Sequence, residues 1–173
     1  SLGDQTGVYR AMDKLGPATA SSIAIESQVD ERYLLEWLSS NAARGYVTYD
    51  DDSQLFSLSP EQAAVFAREN EPTCIQGLIQ GVVGQFVNQD IAIDVFKTGR
   101  GRPWGEHHEC CFCGTERFFR PAYATHLLDE WIPAMAGVEE KLSKGAKVAD
   151  IGCGLGTSSI LMAENFPNSI IHA

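Results

Sequence analysis

Long apolar runs are missing from this sequence: a membrane-crossing helix needs roughly 18 or more consecutive apolar residues, and no such stretch occurs among the 173 residues. The first ten residues, SLGDQTGVYR, also lack the basic-then-apolar layout of a secretory leader. Positive charge is scarce, with 13 Lys and Arg against 23 Asp and Glu, giving a formal net charge of −10. A surface of that sign repels phosphate backbones, so nucleic acid is a poor partner. Internal repeats and low-complexity tracts are absent too, so the sequence has no mark of a repeat architecture. Three of the five cysteines crowd at positions 110, 111 and 113, unlike a secreted disulfide framework. These absences lead us to expect a cytoplasmic protein without membrane association, long enough for one sizeable domain or two small ones.

What is present begins with helical periodicity. Val8, Tyr9, Met12 and Leu15 recur at helical spacing over 6–15, and Gly16-Pro17 stops that helix. A second short helix is expected over 19–26. Asp30 then caps a third that carries the stripe Tyr33, Leu34, Trp37, Leu38 and ends at Gly45. Two β-prone stretches, 46–49 and 54–58, flank the polar turn Asp50-Asp-Asp-Ser53. Three helices and a two-stranded wing over 1–60 predict a winged helix. A base-reading version would offer Arg, Lys, Asn or Gln from its third helix and tolerate phosphate at its wing. Here the third helix sets Asp30, Glu31 and Glu36 against Arg32 and Arg44, the wing tip is three aspartates, and residues 1–60 hold nine acidic and four basic side chains. DNA reading is therefore not expected, and the module's resemblance to the small N-terminal domain placed ahead of many small-molecule methyltransferases implies dimer contacts instead.

Residues 61–136 read as a mostly helical linker. Pro60 behind Ser59 opens a helix. The stretch 73–96 is apolar enough, with Ile75, Leu78, Ile79, Val82, Val83, Phe86 and Val87, to predict a buried domain contact or a homodimer contact, and Gly77, Gly81 and Gly84 would let another backbone approach. A loop over 97–104 leads to the polar segment His107–Gly114, and helix is expected again from 121 to 135. Residues 137–173 then read as a short helix followed by strand, tight loop, helix, strand, the first βαβ unit of a nucleotide-binding sheet.

The tight loop carries the chemistry. In K-V-A-D-I-G-C-G-L-G-T, the glycines at 152, 154 and 156 allow a sharp turn and bring backbone close to a ligand. Free N–H groups near Thr157 and Ser158 favour an electron-rich partner. Asp150, at the strand end, suits an amine or an ordered water and opposes a pyrophosphate. The loop has no lysine for a phosphate-binding P-loop, and G-x-G-x-x-G fails because its last position falls on Thr157 or Ser159. On the residues alone, a structural β-turn-α of another α/β fold remains the alternative.

This loop closely resembles motif I of class I S-adenosylmethionine-dependent methyltransferases, written as hydrophobic, Asp, hydrophobic, G-x-G-x-G. The segments W-L-x-x-N-A-A-R-G-Y-V, S-L-S-P-E-Q-A, F-K-T-G-R-G-R-P-W and E-x-F-P-N-S extend the resemblance over nearly the whole chain. They are similar to methyltransferases with an N-terminal wing, a group sometimes labelled transcriptional regulators. The resemblance implies an α/β fold: winged helix, helical linker, and the start of a Rossmann-like sheet that stops before its remaining strands. It also implies S-adenosylmethionine as cofactor, lined by Gly152, Cys153, Gly154, Gly156 and Thr157 and oriented by Asp150, and in-line methyl transfer to a small-molecule acceptor. A base is needed only where the acceptor must lose a proton. His107 and His108 are the first choices for it, ahead of Glu109, Tyr123 and His126.

Cys110 and Cys113 have C-x-x-C spacing beside His107 and His108, a credible set of four zinc ligands, yet the second half of a usual structural zinc site is missing; plain local structure with no metal is the first expectation, and a metal site or a reactive cysteine pair are the alternatives. The competing functions are a winged-helix transcriptional regulator and a catalytically inactive, partner-binding relative.

Overall fold

Three short polar side chains start helices in the N-terminal part by accepting a first-turn N–H that has no helical partner. Thr19 accepts from Ser22, Asp30 from Tyr33, and Ser59 from Gln62, whose own side chain reaches back to the Ser59 N–H. In the computed structural model, which describes residues 1–173, they open α3 (Ala20–Ser27), α4 (Glu31–Ala43) and α5 (Pro60–Phe66). α1 (Leu2–Gln5) and α2 (Val8–Leu15) precede these, and all five belong to a first unit, Ser1–Gln76. Met12, Ile23, Leu38 and Val47 are its largest fully buried side chains, joined by Phe56. Tyr9 stacks on Phe66 and meets Trp37 edge-on, with ring centroids 5.0 and 5.2 Å away.

The wing is β1 (Thr48–Asp50) and β2 (Leu55–Ser57), antiparallel with Tyr49 opposite Phe56. Ala18 bridges Phe56 through two backbone hydrogen bonds of 3.0 and 2.9 Å and ties the wing to the helices. Asp50 holds the turn by accepting the N–H groups of Asp52 and Ser53, which keeps its carboxyl below the usual carboxylate range. Three helices followed by a wing match the winged helix expected from the sequence.

The second unit, Gly77–Ala173, takes up most of α6 (Gln76–Val87). The apolar stretch expected as one helix is two, because the chain breaks at Asn88 before α7 (Gln89–Thr98); the buried Asn88 side chain donates to the Gly84 carbonyl at 2.9 Å. A larger correction concerns the polar segment 107–114, expected as loop ahead of a helix from 121. From Glu109 it is already helix, α8 (Glu109–Ala122), which continues through a π-wound stretch at Tyr123–Trp131 into α9 (Ile132–Ala134). Pro121, read as a helix start, sits inside it. Lacking an N–H, Pro121 leaves a gap in the hydrogen-bond ladder, and the chain rewinds into the wider π turn directly after it.

α10 (Val138–Lys144) leads into β3 (Lys147–Ala149), α11 (Thr157–Asn165) and β4 (Ile170–His172). The strands pair in parallel, with Val148 opposite Ile171. Ile132, Leu142 and Phe166 form the core here, with Val148 and Met162 packed on it. The sequence predicts a buried strand with Val148 and Ile151 and a crossover helix with Ile160, Leu161 and Phe166 on its inner side; two of these residues are outside. Ile151 lies beyond the strand and is 92% exposed, and α11 turns Ser159, Met162 and Phe166 inward, leaving Ile160 57% exposed. No helix of the chain is long and apolar enough to cross a membrane.

Candidate functional site

Between β3 and α11 the chain turns through three glycines in the left-handed region, Gly152 at φ 81°, Gly154 at φ 60° and Gly156 at φ 81°. A Cβ on Gly152 or Gly154 would meet nothing within 4 Å, so the backbone of this loop faces open space. The turn closes where the Gly156 N–H donates to the Cys153 carbonyl at 3.0 Å, and α11 starts at Thr157 with its first N–H groups lacking helical acceptors. Below the loop, Asp150 Oδ2 accepts the hydroxyls of Ser158 at 3.0 Å and Ser159 at 2.6 Å. Its backbone N–H donates to the His172 carbonyl at 2.8 Å. One carboxylate thus fixes the strand end to the first turn of the helix.

The loop forms one wall of a cleft of about 190 Å³. The facing wall comes from α8 and its continuation: Phe112, Glu116, Phe119 and Tyr123 follow one another at helical spacing, and Trp104 completes it. Trp104 meets Phe112 edge-on at 5.2 Å, and Phe119 stacks on Tyr123 at 6.2 Å. Glu116 joins the two walls by accepting the Thr157 hydroxyl at 3.0 Å, and Arg120, one helical turn on, lies 3.7 Å from its other oxygen.

Of the residues singled out in the sequence, Gly152, Cys153, Gly154 and Thr157 line this cleft, whereas Gly156 and Asp150 support the loop from outside the lining. Neither His107 nor His108 lines it. His107 packs on Trp104 with ring centroids 5.2 Å apart, and its buried Nδ1 has no protein partner. His108 caps α8, its Nδ1 accepting the Cys110 N–H at 3.2 Å. Cys111 is buried against α6, where the Gln85 amide donates to its sulfur, and Cys110 and Cys113 are half-buried on α8. No group of three or more His, Cys, Asp and Glu side chains converges as metal ligands would. Sequence reasoning missed Glu116 and three of the rings. For Phe112, Glu116 and Phe119 the signal was their i, i+4, i+7 spacing, legible only once 109–122 is read as helix.

Residues 1–68 match the family model of an Rv2258c-like winged HTH domain. No curated protein matches the chain. Among solved structures, the mitomycin 7-O-methyltransferase MmcR is 16% identical with a TM-score of 0.60, covering 98% of this chain and 51% of its own. PigF, solved with SAH, is 15% identical with a TM-score of 0.60 over 97% of this chain and 51% of its own. Human N-acetylserotonin methyltransferase, solved in complex with SAM, is 11% identical with the same TM-score over 98% of this chain and 52% of its own. The chain spans about half the length of each of these structures. It therefore carries an N-terminal winged-helix domain and a Rossmann-type fold like that of S-adenosylmethionine-dependent methyltransferases.

Proposed function

We propose that the protein transfers a methyl group from S-adenosylmethionine to a small-molecule acceptor. The observation that carries this reading is the loop, with three left-handed glycines between a parallel strand and a helix start and open space where side chains on Gly152 and Gly154 would stand. Such a cradle fits a ligand that lies against backbone, and the carboxylates of Asp150 and Glu116 in place of lysine suit a cationic ligand over a phosphate. When bound, the donor supplies an electrophilic methyl group on a sulfonium. The chain's own work is placement. In this reading Gly152, Cys153, Gly154, Gly156 and Thr157 hold the donor, Asp150 locks the start of α11 beneath it, and the rings of Trp104, Phe112, Phe119 and Tyr123 exclude water.

For acceptors with a proton to lose, His107 is preferred to His108, because its Nδ1 is free while that of His108 caps a helix. Neither lines the cleft, so this role requires the acceptor to reach past Trp104. Residues 1–60 are assigned to dimerisation, 61–136 to covering the acceptor, and 137–173 to the start of the donor-binding domain.

Calorimetric titration of S-adenosylmethionine into the full-length protein tests the proposal. Micromolar binding is expected, weakened at least about 10-fold in Asp150→Ala through loss of charge-assisted hydrogen bonds. Folded wild-type protein that binds no donor overturns it.

A further inference from the structure

Eleven residues line the cleft, and Glu116 alone among them carries a formal charge. Its side chain is 15% exposed, so the carboxylate is held largely out of water, a costly position without a partner. Within the chain its partners are modest. Thr157 gives one neutral hydroxyl, and the Arg120 guanidinium, more exposed and outside the lining, stands at 3.7 Å. Toward the cleft, then, Glu116 presents negative charge beside the rings of Trp104, Phe112, Phe119 and Tyr123. Aromatic faces attract cations, and a carboxylate accepts strongly from an ammonium. An anion would find no positive lining group.

Position narrows the choice of cation. Thr157 directly follows Gly156, so the carboxylate it touches stands at the helix end of the glycine loop. Asp150, the other acid beside the loop, does not line the cleft and directs Oδ2 to two serine hydroxyls.

We infer that Glu116 binds the α-ammonium of the donor's methionyl tail, an assignment that rests on the donor reading above. Asp150 is then a positioning residue, and α8 contributes directly to donor affinity.

The test is calorimetry on full-length wild-type and Glu116→Gln protein with three probes. S-adenosylmethionine carries ammonium and sulfonium, S-adenosylhomocysteine the ammonium alone, and 5′-methylthioadenosine neither. Glutamine keeps an oxygen for the Thr157 hydroxyl and removes only the charge. The expected result is an affinity loss of about 10-fold for the first two probes and an unchanged affinity for the third. Equal loss for all three would make Glu116 merely structural. Loss confined to S-adenosylmethionine would turn it toward the sulfonium, and no loss would turn it toward the acceptor; each of these outcomes overturns the assignment. Wild-type protein that binds none of the probes would defeat the donor reading itself and this assignment with it.

Discussion

At the first turn of α8, the hydrogen bond from the Cys110 N–H to His108 Nδ1 decides what that imidazole can do. An accepting ring nitrogen is unprotonated, so the neutral ring carries its proton on Nε2 and has no second lone pair to offer a substrate. Protonating Nδ1 would turn it into a donor and remove the cap. A carboxylate caps a helix equally well, so His108→Asp is expected to leave stability within about 0.5 kcal/mol, whereas His108→Ala costs about 1 kcal/mol in chemical denaturation. Methyl transfer lost in the Asp variant at full stability would return the imidazole to the chemistry. The caps at Asp30 and Ser59 were legible in the sequence because short polar side chains before apolar runs have one common use. His108 was not, since imidazole is an uncommon cap and its proximity to cysteines drew attention to metal chemistry.

Among the elements, α6 and α8 meet backbone to backbone. A Cβ on Gly114 would collide with the backbone of Gly81 and Gly77, and one on Gly77 with that of Phe118 and Arg117. Main chain cannot swing aside as a long side chain can. Gly114→Ala is therefore expected to destabilise the fold by about 1–3 kcal/mol, read as a lower denaturation midpoint, and an unchanged midpoint would contradict this seam. The same contact explains why α8 escaped sequence reading. Its buried face is Cys111, Gly114 and Pro121, a helical spacing built from residues that are small or helix-breaking and so carry little hydrophobic amplitude. The βαβ unit was legible because parallel pairing and left-handed glycines leave strong marks, while Ile151 and Ile160 misled because hydrophobicity does not report which way a loop or helix turns.

At the scale of the whole molecule, the helices at 76–98 leave Leu78, Val82, Phe86, Ile91 and Phe96 exposed, Phe96 at 93%. So much apolar surface marks an interaction face, and the proposed occupant is a second copy of the chain. Full-length protein is expected to sediment as a dimer at micromolar concentration, and Phe86→Asp with Phe96→Asp to yield monomers. A monomeric wild type under those conditions refutes the dimer. On charge, nucleic acid is not the partner expected of the winged helix: Glu31 and the aspartates at 50–52 lie along the surfaces a DNA reader would make basic.

The π-wound stretch at Tyr123–Trp131 has a bearing on design that its local geometry hides. A wider turn changes the rotational phase of everything after it, so one continuous helix can address two neighbours in succession. Before it, Phe112, Glu116 and Phe119 look into the cleft; after it, Ile132 seats in the core beside Leu142 and Phe166. The stretch works as a gear between cleft and scaffold, and removing a single residue from it would rotate one half out of mesh with its neighbour.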